Sequence, residues 1–465
     1  MGTYVDTAIT AFPLFDAISR RVSLKRKIHS HSVVWIAMQK PSFYSGVRSR
    51  VLAMTVALAF LTYMDRVCIS VTAPAILRDL RLTPIEMGIV FSAFTAGYAL
   101  FEIPTGWWAD RAGSRRVLTR IVVWWSVFTG LTAAAWNFPS LVTLRALFGA
   151  GEAGAWPTVA RALSRWFPSE ERGTAQGIFF MGAHLGGGLT PLLVAAIAFR
   201  IGWRATFPVL SILGFVWAAF WFHWYRDEPR DHPSVSAEEL DWIEARRHAP
   251  AEEAFAGSMF HLALRTPGIW FLCLMYFTQT YGFNLYVTWL PTYLQHEKKL
   301  HGSALGIFAG LPLLLSVPAD LFGGIVTDRL SRSSGLRRGR CLVGFCSLAA
   351  AGVFLFAGSV AQGWTSAVLI ALAAASSNFL LGASWSACAD IGGNHAATLS
   401  AAMNTSGQIG GILSPVIFAV LIRNSVTWTA PLYWTAVLYL LGAVCWYFVH
   451  PERPLGAITP SSRLG

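Results

Sequence analysis

The chain has 465 residues, of which 54% are hydrophobic and only 13% are charged. Soluble domains carry about 25% charged residues, so this composition excludes an ordinary soluble protein. The net charge of +12 suggests nucleic acid as a partner, but the distribution of the charges along the chain argues against nucleic-acid binding. The sequence contains no catalytic triad, metal-ligand spacing or nucleotide-binding loop, so we expect neither an enzyme nor a bound metal or cofactor.

The chain begins with a basic stretch, residues 1–50, in which no apolar run is long enough to span a membrane. We expect a disordered cytoplasmic tail here, within which Met38 is an alternative start. Beyond it, apolar residues come in runs of roughly twenty, the length of a helix that crosses a bilayer. Twelve spans are predicted, over residues 51–76, 86–108, 117–136, 140–164, 173–199, 206–225, 267–294, 302–326, 341–360, 364–388, 396–422 and 429–449. The lipid bilayer is therefore an expected partner.

Lysine and arginine are unevenly divided between the two sides of the membrane that these spans define. The side of the N-terminus has 27 of the 36, the other side has 7, and Arg66 and Arg145 lie within spans. The positive-inside rule then predicts that both termini are cytoplasmic. The excess positive charge is a consequence of topology and not a nucleic-acid footprint.

The spans are organised as a tandem repeat. The motif Gly-x-x-x-Asp-Arg at 106–111 recurs at 324–329, an offset of 218 residues. Two further pairs have nearly the same offset: Pro74 with Pro291, and the glycine-rich segment 186–191 with 410–415. Three matches in the same order indicate a duplicated six-helix unit. We therefore expect an all-α fold of twelve transmembrane helices in two pseudo-symmetric halves, with a binding site between them near the bilayer centre.

The repeat also sets the domain boundaries. We predict an N-terminal half over 51–225, a cytoplasmic linker over 226–266, a C-terminal half over 267–450 and a cytoplasmic tail over 451–465. Within the linker, Ser236 followed three residues later by Glu239 is typical of a helix start. A short amphipathic helix is therefore expected on the cytoplasmic face.

The loop between the second and third spans reads Gly-Trp-Trp-Ala-Asp-Arg-Ala-Gly-Ser-Arg-Arg over residues 106–116. It resembles the signature loop of the major facilitator superfamily, G-x-x-x-D-R-x-G-x-R-R, at every defined position. The resemblance implies a latch that joins the halves on the inner side when the transporter opens outward; the alternative is a basic loop with no gating role. The gating residues would be Gly106, Asp110, Arg111, Gly113 and Arg116, together with Asp328 and Arg329 of the second copy, which lacks the middle glycine.

Further segments resemble the anion:cation symporter branch of this superfamily. They are Asp65-Arg66 in the first span, 144–153 in the fourth, and the segments 202–204, 225–229 and 288–294. The branch includes bacterial transporters of sugar acids and of aromatic or dicarboxylic acids, and the animal carriers of sialic acid and glutamate. The resemblance implies symport of an organic anion with protons, and it implies anion-binding and proton-coupling roles for the charged residues within the spans.

Four of these residues lie where a charge costs a few kcal/mol unless it faces a cavity or a partner. Arg145 and Glu152 are seven residues apart, so they share one helix face about 10 Å from each other. We expect Arg66 and Arg145 to bind the substrate carboxylate, because a guanidinium binds carboxylates in a bidentate manner, and Asp65 and Glu152 to carry coupling protons. The alternative is that Asp65 pairs permanently with Arg145 or Arg66 and only holds helices together.

Polar side chains within the spans can also hydrogen-bond a substrate, although such groups often join helices in membranes. The candidates are Tyr63, Tyr98, Gln279, Asn284, Ser386, Asn404 and Gln408. A sugar acid needs several such groups, and a plain aromatic acid needs fewer. Glu102, His184 and Asp320 are titratable residues without an assigned role, and Asp390 is expected to make a helix-terminus contact.

The expected function is secondary transport. We expect a monomeric transporter of the inner (plasma) membrane that carries a sugar acid, such as a hexonate, hexarate or hexuronate, into the cytoplasm with protons by alternating access. Two alternatives stay open. One is an exchanger or exporter of aromatic or dicarboxylic acids, against which Asp65 and Glu152 argue. The other is a membrane sensor that binds the anion without moving it.

Overall fold

The computed structural model describes residues 46–246, 266–299, 302–424 and 429–455. Nearly all of the expected tail over 1–50, part of the linker and the end of the chain lie outside these residues. The helices of the first half and linker are α1 (Val47–Asp79), α2 (Pro84–Ala112), α3 (Ser114–Thr132), α4 (Phe138–Glu152), α5 (Ala155–Trp166), α6 (Arg172–Trp224) and α7 (Ala237–Arg246). Those of the second half are α8 (Pro267–Thr288), α9 (Leu290–His296), α10 (Gly302–Ser334), α11 (Leu336–Val360), α12 (Gly363–Asn378), α13 (Leu381–Gly392), α14 (Ala396–Asn424) and α15 (Ala430–Cys445).

These helices confirm the all-α fold with six crossings in each half. In the first half, α4 and α5 together make one crossing, and α6 makes two because Gly202, with φ of 80°, interrupts it. In the second half, α8 with α9 and α12 with α13 make one crossing each. On length and composition alone, seven stretches of the described helices qualify as membrane spans. The fourth crossing of the first half is not among them, because its break leaves two short helices.

The fourth crossing of each half is broken at its middle. We expected single helices over 140–164 and 364–388, but the first is divided between Glu152 and Ala155 and the second between Asn378 and Leu381. The breaks occupy equivalent places in the two halves, which agrees with an internal duplication. In the first half, the break lies next to the charged residues of the candidate site.

The two halves meet along α2 with α14 and along α6 with α10. The backbones of α6 and α10 pass very close to each other, because a Cβ on Gly324 would lie 2.3 Å from the Gly173 carbonyl oxygen. We call the end of the molecule that has the α2–α3 loop at Gly113 and the α10–α11 loop at Gly335 the motif face. The other end is the opposite face.

The linker contains the expected short helix, α7, and its start is the one predicted. The backbone N–H of Glu239 donates to Ser236 Oγ at 3.2 Å. The Glu239 carboxylate does not fold back onto this helix. It accepts from the backbone N–H groups of Val47 at 3.1 Å and Arg48 at 3.0 Å, so it caps the first turn of α1 and fixes the linker to the first half.

Candidate functional site

The break in the fourth crossing fixes the position of a buried carboxylate. Gly154, between α4 and α5, has φ of 85°, a left-handed conformation that glycine adopts far more readily than other residues. A Cβ here would lie 2.6 Å from Thr105 Cγ2, so α2 passes too close for a side chain. Glu152 is consequently the last residue of α4 and is 0% exposed.

Arg66 on α1 is the ion partner of Glu152. Its Nε donates to Glu152 Oε1 at 2.5 Å. The guanidinium carbon lies 5.0–5.9 Å from the centroids of four aromatic rings, which belong to Tyr63, Phe94, Tyr98 and Trp156. Such rings stabilise a desolvated cation. The Arg66 side chain is still 20% exposed.

Arg145 and Asp65 lie beside this pair, and neither has an ion partner within the described residues. The Arg145 guanidinium carbon is 4.4 Å from the Phe148 ring centroid and 5.2 Å from that of Phe94. Both side chains are buried, and Arg145 Nε and Asp65 Oδ1 have no hydrogen-bond partner in the described structure. The alternative of an Asp65 pair with Arg145 or Arg66 is therefore not what the structure contains. The site offers an unpaired cation and an unpaired carboxylate.

Two of the candidate substrate ligands already have a protein partner in Glu102. Tyr98 Oη donates to Glu102 Oε1 at 3.2 Å, and Asn404 Nδ2 donates to the same oxygen at 2.5 Å. Thr405 Oγ1 donates to Glu102 Oε2 at 3.0 Å. Because α2 and α14 belong to different halves, Glu102 joins the halves at this level.

The other candidate substrate ligands differ in whether their polar groups already have a hydrogen-bond partner. Gln279 Nε2 donates to Asn378 Oδ1 at 3.0 Å, and Asn284 Nδ2 donates to a backbone carbonyl of its own helix. Ser386 Oγ is buried without a hydrogen-bond partner among the described residues, and Gln408 is half-buried. Tyr63 lies near His184, with 6.3 Å between ring centroids. Most of the amides therefore serve helix contacts in this conformation.

At the motif face, Asp110 at the end of α2 binds the N-terminus of α14. Its carboxylate accepts from the backbone N–H groups of Ala397 at 3.0 Å and Thr398 at 2.8 Å, and from the Thr398 hydroxyl at 2.6 Å. An anion at this place satisfies free N–H groups and the positive end of the helix dipole. Gly106 permits the close approach, since a Cβ there would lie 2.8 Å from Ala401 Cβ.

Asp328 repeats this arrangement in the second half. It accepts from the backbone N–H groups of Gly173 at 2.9 Å and Thr174 at 2.6 Å, at the N-terminus of α6. The two motif aspartates thus each cap a helix of the opposite half. Both contacts are at the motif face.

A buried ion network that the sequence analysis did not identify lies beside Asp328. Arg340 on α11 donates to Asp328 at 3.0 Å and to Asp390 at 3.2 Å, and Asp390 also pairs with Arg172 of the first half. Asp390 therefore joins the halves and is more than the terminus contact we expected. The four charged residues all lie at the edges of predicted spans, and this shared position is the feature of the sequence that indicates such a network.

The arginines of the motif do not reach this interface. Arg111, Arg116 and Arg329 are exposed, and the Arg111 guanidinium carbon lies 3.7 Å from the Trp107 ring centroid. The ion partner of Asp110 is instead Arg161 on α5, at 3.5 Å. The reason is geometric, because successive residues of a helix point about 100° apart and the aspartates face the partner half.

The glycine between the helices is present in both copies of the motif. Gly113 has φ of 85° and precedes α3, and Gly335 has φ of 89° and precedes α11. Gly335 follows its motif aspartate by one helical turn more than Gly113 does. The second copy lacks the glycine at the motif position, which is Ser331, but the longer α10 is followed by an equivalent glycine, Gly335, one turn later.

His184 on α6 and Asp320 on α10 make a further contact between the halves. His184 Nδ1 and Asp320 Oδ2 are 2.5 Å apart, and the side chains are 5% and 0% exposed. Twelve hydrogen bonds between described residues of the two halves lie between the membrane centre and the motif face. The structure is therefore closed at the motif face.

Known proteins agree with this architecture. A sequence model of the major facilitator superfamily matches residues 55–415. The chain is 35% identical over 406 residues to a "probable sulfoacetate transporter" of Cupriavidus necator, covering 87% of this chain and 94% of that protein. It is 29% identical over 426 residues to a "probable galactarate/D-glucarate transporter" of Escherichia coli strain K12, covering 87% and 95%.

Among solved structures, the proton:xylose symporter XylE bound to 6-bromo-6-deoxy-D-glucose is similar with a TM-score of 0.69. The match covers 88% of this chain and 97% of XylE, at 15% sequence identity. Similarity at that identity supports the fold. The resemblance that the signature loop indicated is confirmed by these comparisons, and the chain belongs to the major facilitator superfamily.

Proposed function

We propose that this chain moves a small organic anion into the cytoplasm together with protons, by alternating access. The observation that carries the proposal is the Arg66–Glu152 ion pair with the unpaired Arg145 and Asp65 beside it. Two cations and two carboxylates balance in charge when the site is empty. An anion and a proton added together keep that balance, whereas either one alone leaves a net charge at membrane depth.

The coupling follows from the sharing of Arg66. A substrate carboxylate or sulfonate binds Arg145, whose Nε is free, and competes with Glu152 for Arg66. Glu152 then loses its cation in a buried place, where an ionised carboxylate is unfavourable. It takes up a proton, and the neutral site permits the halves to move. Asp65 is the second proton carrier.

The motif face is cytoplasmic in this proposal, because the positive-inside rule favours that orientation. We place the protein in the inner membrane as a monomer with both termini in the cytoplasm. The described conformation, closed at the motif face, then receives its substrate from outside. Opening to the cytoplasm requires Asp110 and Asp328 to leave the helix N-termini that they cap.

For the substrate we propose a small acid with two anionic groups, such as a hexarate or sulfoacetate. Arg66 and Arg145 both lie close to one ring, since each guanidinium carbon is 5.2 Å from the Phe94 centroid. Two cations so placed can hold both ends of one short solute. Charge balance then requires two protons for each dianion, and Asp65 and Glu152 supply two sites. The two relatives are named as a "probable sulfoacetate transporter" and a "probable galactarate/D-glucarate transporter", and these acids are dianions.

Binding to the purified protein tests the substrate class. Thermal unfolding is measured with sulfoacetate, galactarate, D-glucarate, a hexuronate, an aromatic acid and, as a control with one small anionic group, acetate. A dianion at 100 times its Kd is expected to stabilise the folded state by about 2.7 kcal/mol, and acetate is expected to leave it unchanged. Stabilisation by aromatic acids alone would contradict the proposed class.

Counterflow in proteoliposomes separates a transporter from a sensor. Vesicles preloaded with an unlabelled acid that binds are expected to accumulate the labelled acid transiently from outside. Vesicles made with the Arg145→Lys variant are the matched control and are expected to accumulate much less at the same acid concentration. Binding without counterflow would identify a sensor and refute transport.

A further inference from the structure

Two buried carboxylates outside the proposed coupling centre are related by the internal repeat. Glu102 and Asp320 each precede a motif aspartate, Asp110 or Asp328, by eight residues, or about 12 Å along a helix. Both are 0% exposed, and each contacts the opposite half. The duplication has therefore placed a carboxylate at the same level of both inter-half interfaces.

The two carboxylates differ in the partners that hydrogen-bond to them. Glu102 accepts hydrogen bonds from the neutral groups of Asn404, Thr405 and Tyr98. Asp320 faces a second titratable group, His184, at 2.5 Å, and its Oδ1 has no partner among the described residues. A neutral imidazole can donate one N–H to the carboxylate, which leaves the pair with one negative charge, and one further proton makes the pair neutral. In a buried place the neutral pair is favoured, because an ionised carboxylate without a compensating cation is strongly unfavourable there.

Among the residues that the structure describes, His184 and Asp320 have no ion partner besides each other. Tyr63 on α1 is a titratable side chain close to the pair, and α8 contributes the Phe283 ring, 6.0 Å from His184. Helix α12 carries no charged residue. On α13 the charged residue is Asp390, which is bound to Arg172 and Arg340. The charged residues of α11, within 337–340, are at its motif-face end.

We propose that His184 and Asp320 form a proton-binding site, separate from Asp65 and Glu152, that is filled when the halves close at the motif face and empties when they part. Helices α6 and α10 are joined by this pair and, two turns further along, by Asp328. Parting them exposes both groups to water, where an ionised carboxylate and a neutral imidazole are stable above a pH of about 6.5. Closing again requires one proton, because the empty pair would be buried with a negative charge.

This inference rests on the proposed alternating access, but it concerns a different set of side chains. In the proposed orientation the proton is exchanged with the cytoplasm. The site therefore makes closure depend on internal pH and adds no proton to the transport stoichiometry. Since the closed state binds one proton more than the open state, raising the pH by one unit shifts the equilibrium towards opening by up to about tenfold.

The test measures closure at the motif face against pH. Asp231, at the start of the linker directly after the first half, and Ser334, on the second half, are exposed there. Spin labels at these positions, in a full-length variant without its native cysteines, report the distance between the halves. The measurement is made without substrate in an Asp65→Asn/Glu152→Gln background, which removes the titration of the proposed coupling centre. The closed fraction is expected to fall as pH rises above about 6.5.

Adding Asp320→Asn is expected to abolish that pH dependence, and His184→Gln is expected to do the same. Two independent variants guard against a failure of either one to fold, and monodisperse elution checks each. Glu102→Gln is the matched control, because Glu102 lies at the same level of the other interface and its partners Asn404, Thr405 and Tyr98 stay uncharged near neutral pH. It is expected to retain the pH dependence. An unchanged pH profile in both Asp320→Asn and His184→Gln overturns the inference. A closed fraction that does not change with pH in the Asp65→Asn/Glu152→Gln background also overturns the inference. Neither result touches proton-driven uptake, which tests the proposed function separately.

Discussion

Arg145 is a buried cation without an ion partner among the described residues, and we propose that it binds the substrate. Lysine keeps the charge but loses the planar fork that binds a carboxylate through two parallel hydrogen bonds. Loss of one charge-assisted hydrogen bond costs about 1.5–3 kcal/mol. Arg145→Lys is therefore expected to weaken binding of a dianion by at least tenfold in calorimetric titration. Arg50→Lys, at an exposed position, is the control, and equal affinity in both variants would remove Arg145 from the site.

Substitution of Glu152 is expected to leave exchange of the substrate intact and to uncouple its accumulation from the proton gradient. Glu152→Gln keeps the shape of the side chain and frees Arg66 for the substrate, but it no longer binds and releases a proton. The variant is expected to exchange labelled for unlabelled acid at a rate similar to the unmodified protein and to lose accumulation driven by a proton gradient. Glu244→Gln, on the exposed side of the linker helix, is expected to retain both. Normal gradient-driven uptake by Glu152→Gln would exclude the coupling role.

At the scale of elements, the break between α4 and α5 depends on one backbone conformation. A left-handed conformation costs a residue with a side chain about 1–2 kcal/mol, and at Gly154 the added Cβ also meets Thr105. Gly154→Ala is therefore expected to lower the midpoint of thermal unfolding by several degrees. Gly188→Ala is the matched control, because this helical glycine has open space around it. A Tm for Gly154→Ala no lower than that of the control would contradict this assignment.

The capping contacts at the motif face make a second prediction at this scale. Asp110→Ala removes three hydrogen bonds at the N-terminus of α14, and loss of an N-terminal cap costs about 1 kcal/mol or more. The spin-label distance at the motif face is therefore expected to shift towards the open state by about fivefold or more in population. Arg329→Ala, at an exposed motif position, is expected to change little. The reverse ranking would assign the latch to the arginines.

Sequence patterns predicted these elements unequally well. Hydrophobic runs and the tandem motif were sufficient for the order of the helices and for their grouping into halves. They did not predict that the fourth crossing breaks at Gly154, because a glycine within an apolar run is compatible with a continuous helix as well. The displacement of Gly335 was missed for a similar reason, since α10 continues past its motif by one more turn.

At the scale of the whole molecule, the sequence indicated which charges lie in the membrane but not how they pair. Arg66 binds Glu152, 86 residues away, because α1 and the fourth crossing are brought together by the packing of the first half. The ion network of Arg172, Arg340 and Asp390 likewise joins segments that are distant in the chain. Pairing of this kind depends on tertiary approach and rotamer, which residue spacing along one helix does not determine.

The central claim is that substrate anion and protons move together because they share Arg66 and Glu152. Its most direct test is uptake of a labelled dianion that binds, in proteoliposomes with the interior made alkaline and the membrane potential held at zero. The account predicts accumulation above the external concentration, with simultaneous acidification of the interior, and loss of both in Glu152→Gln. Equilibration of the label without accumulation, in vesicles that still perform counterflow, would contradict it.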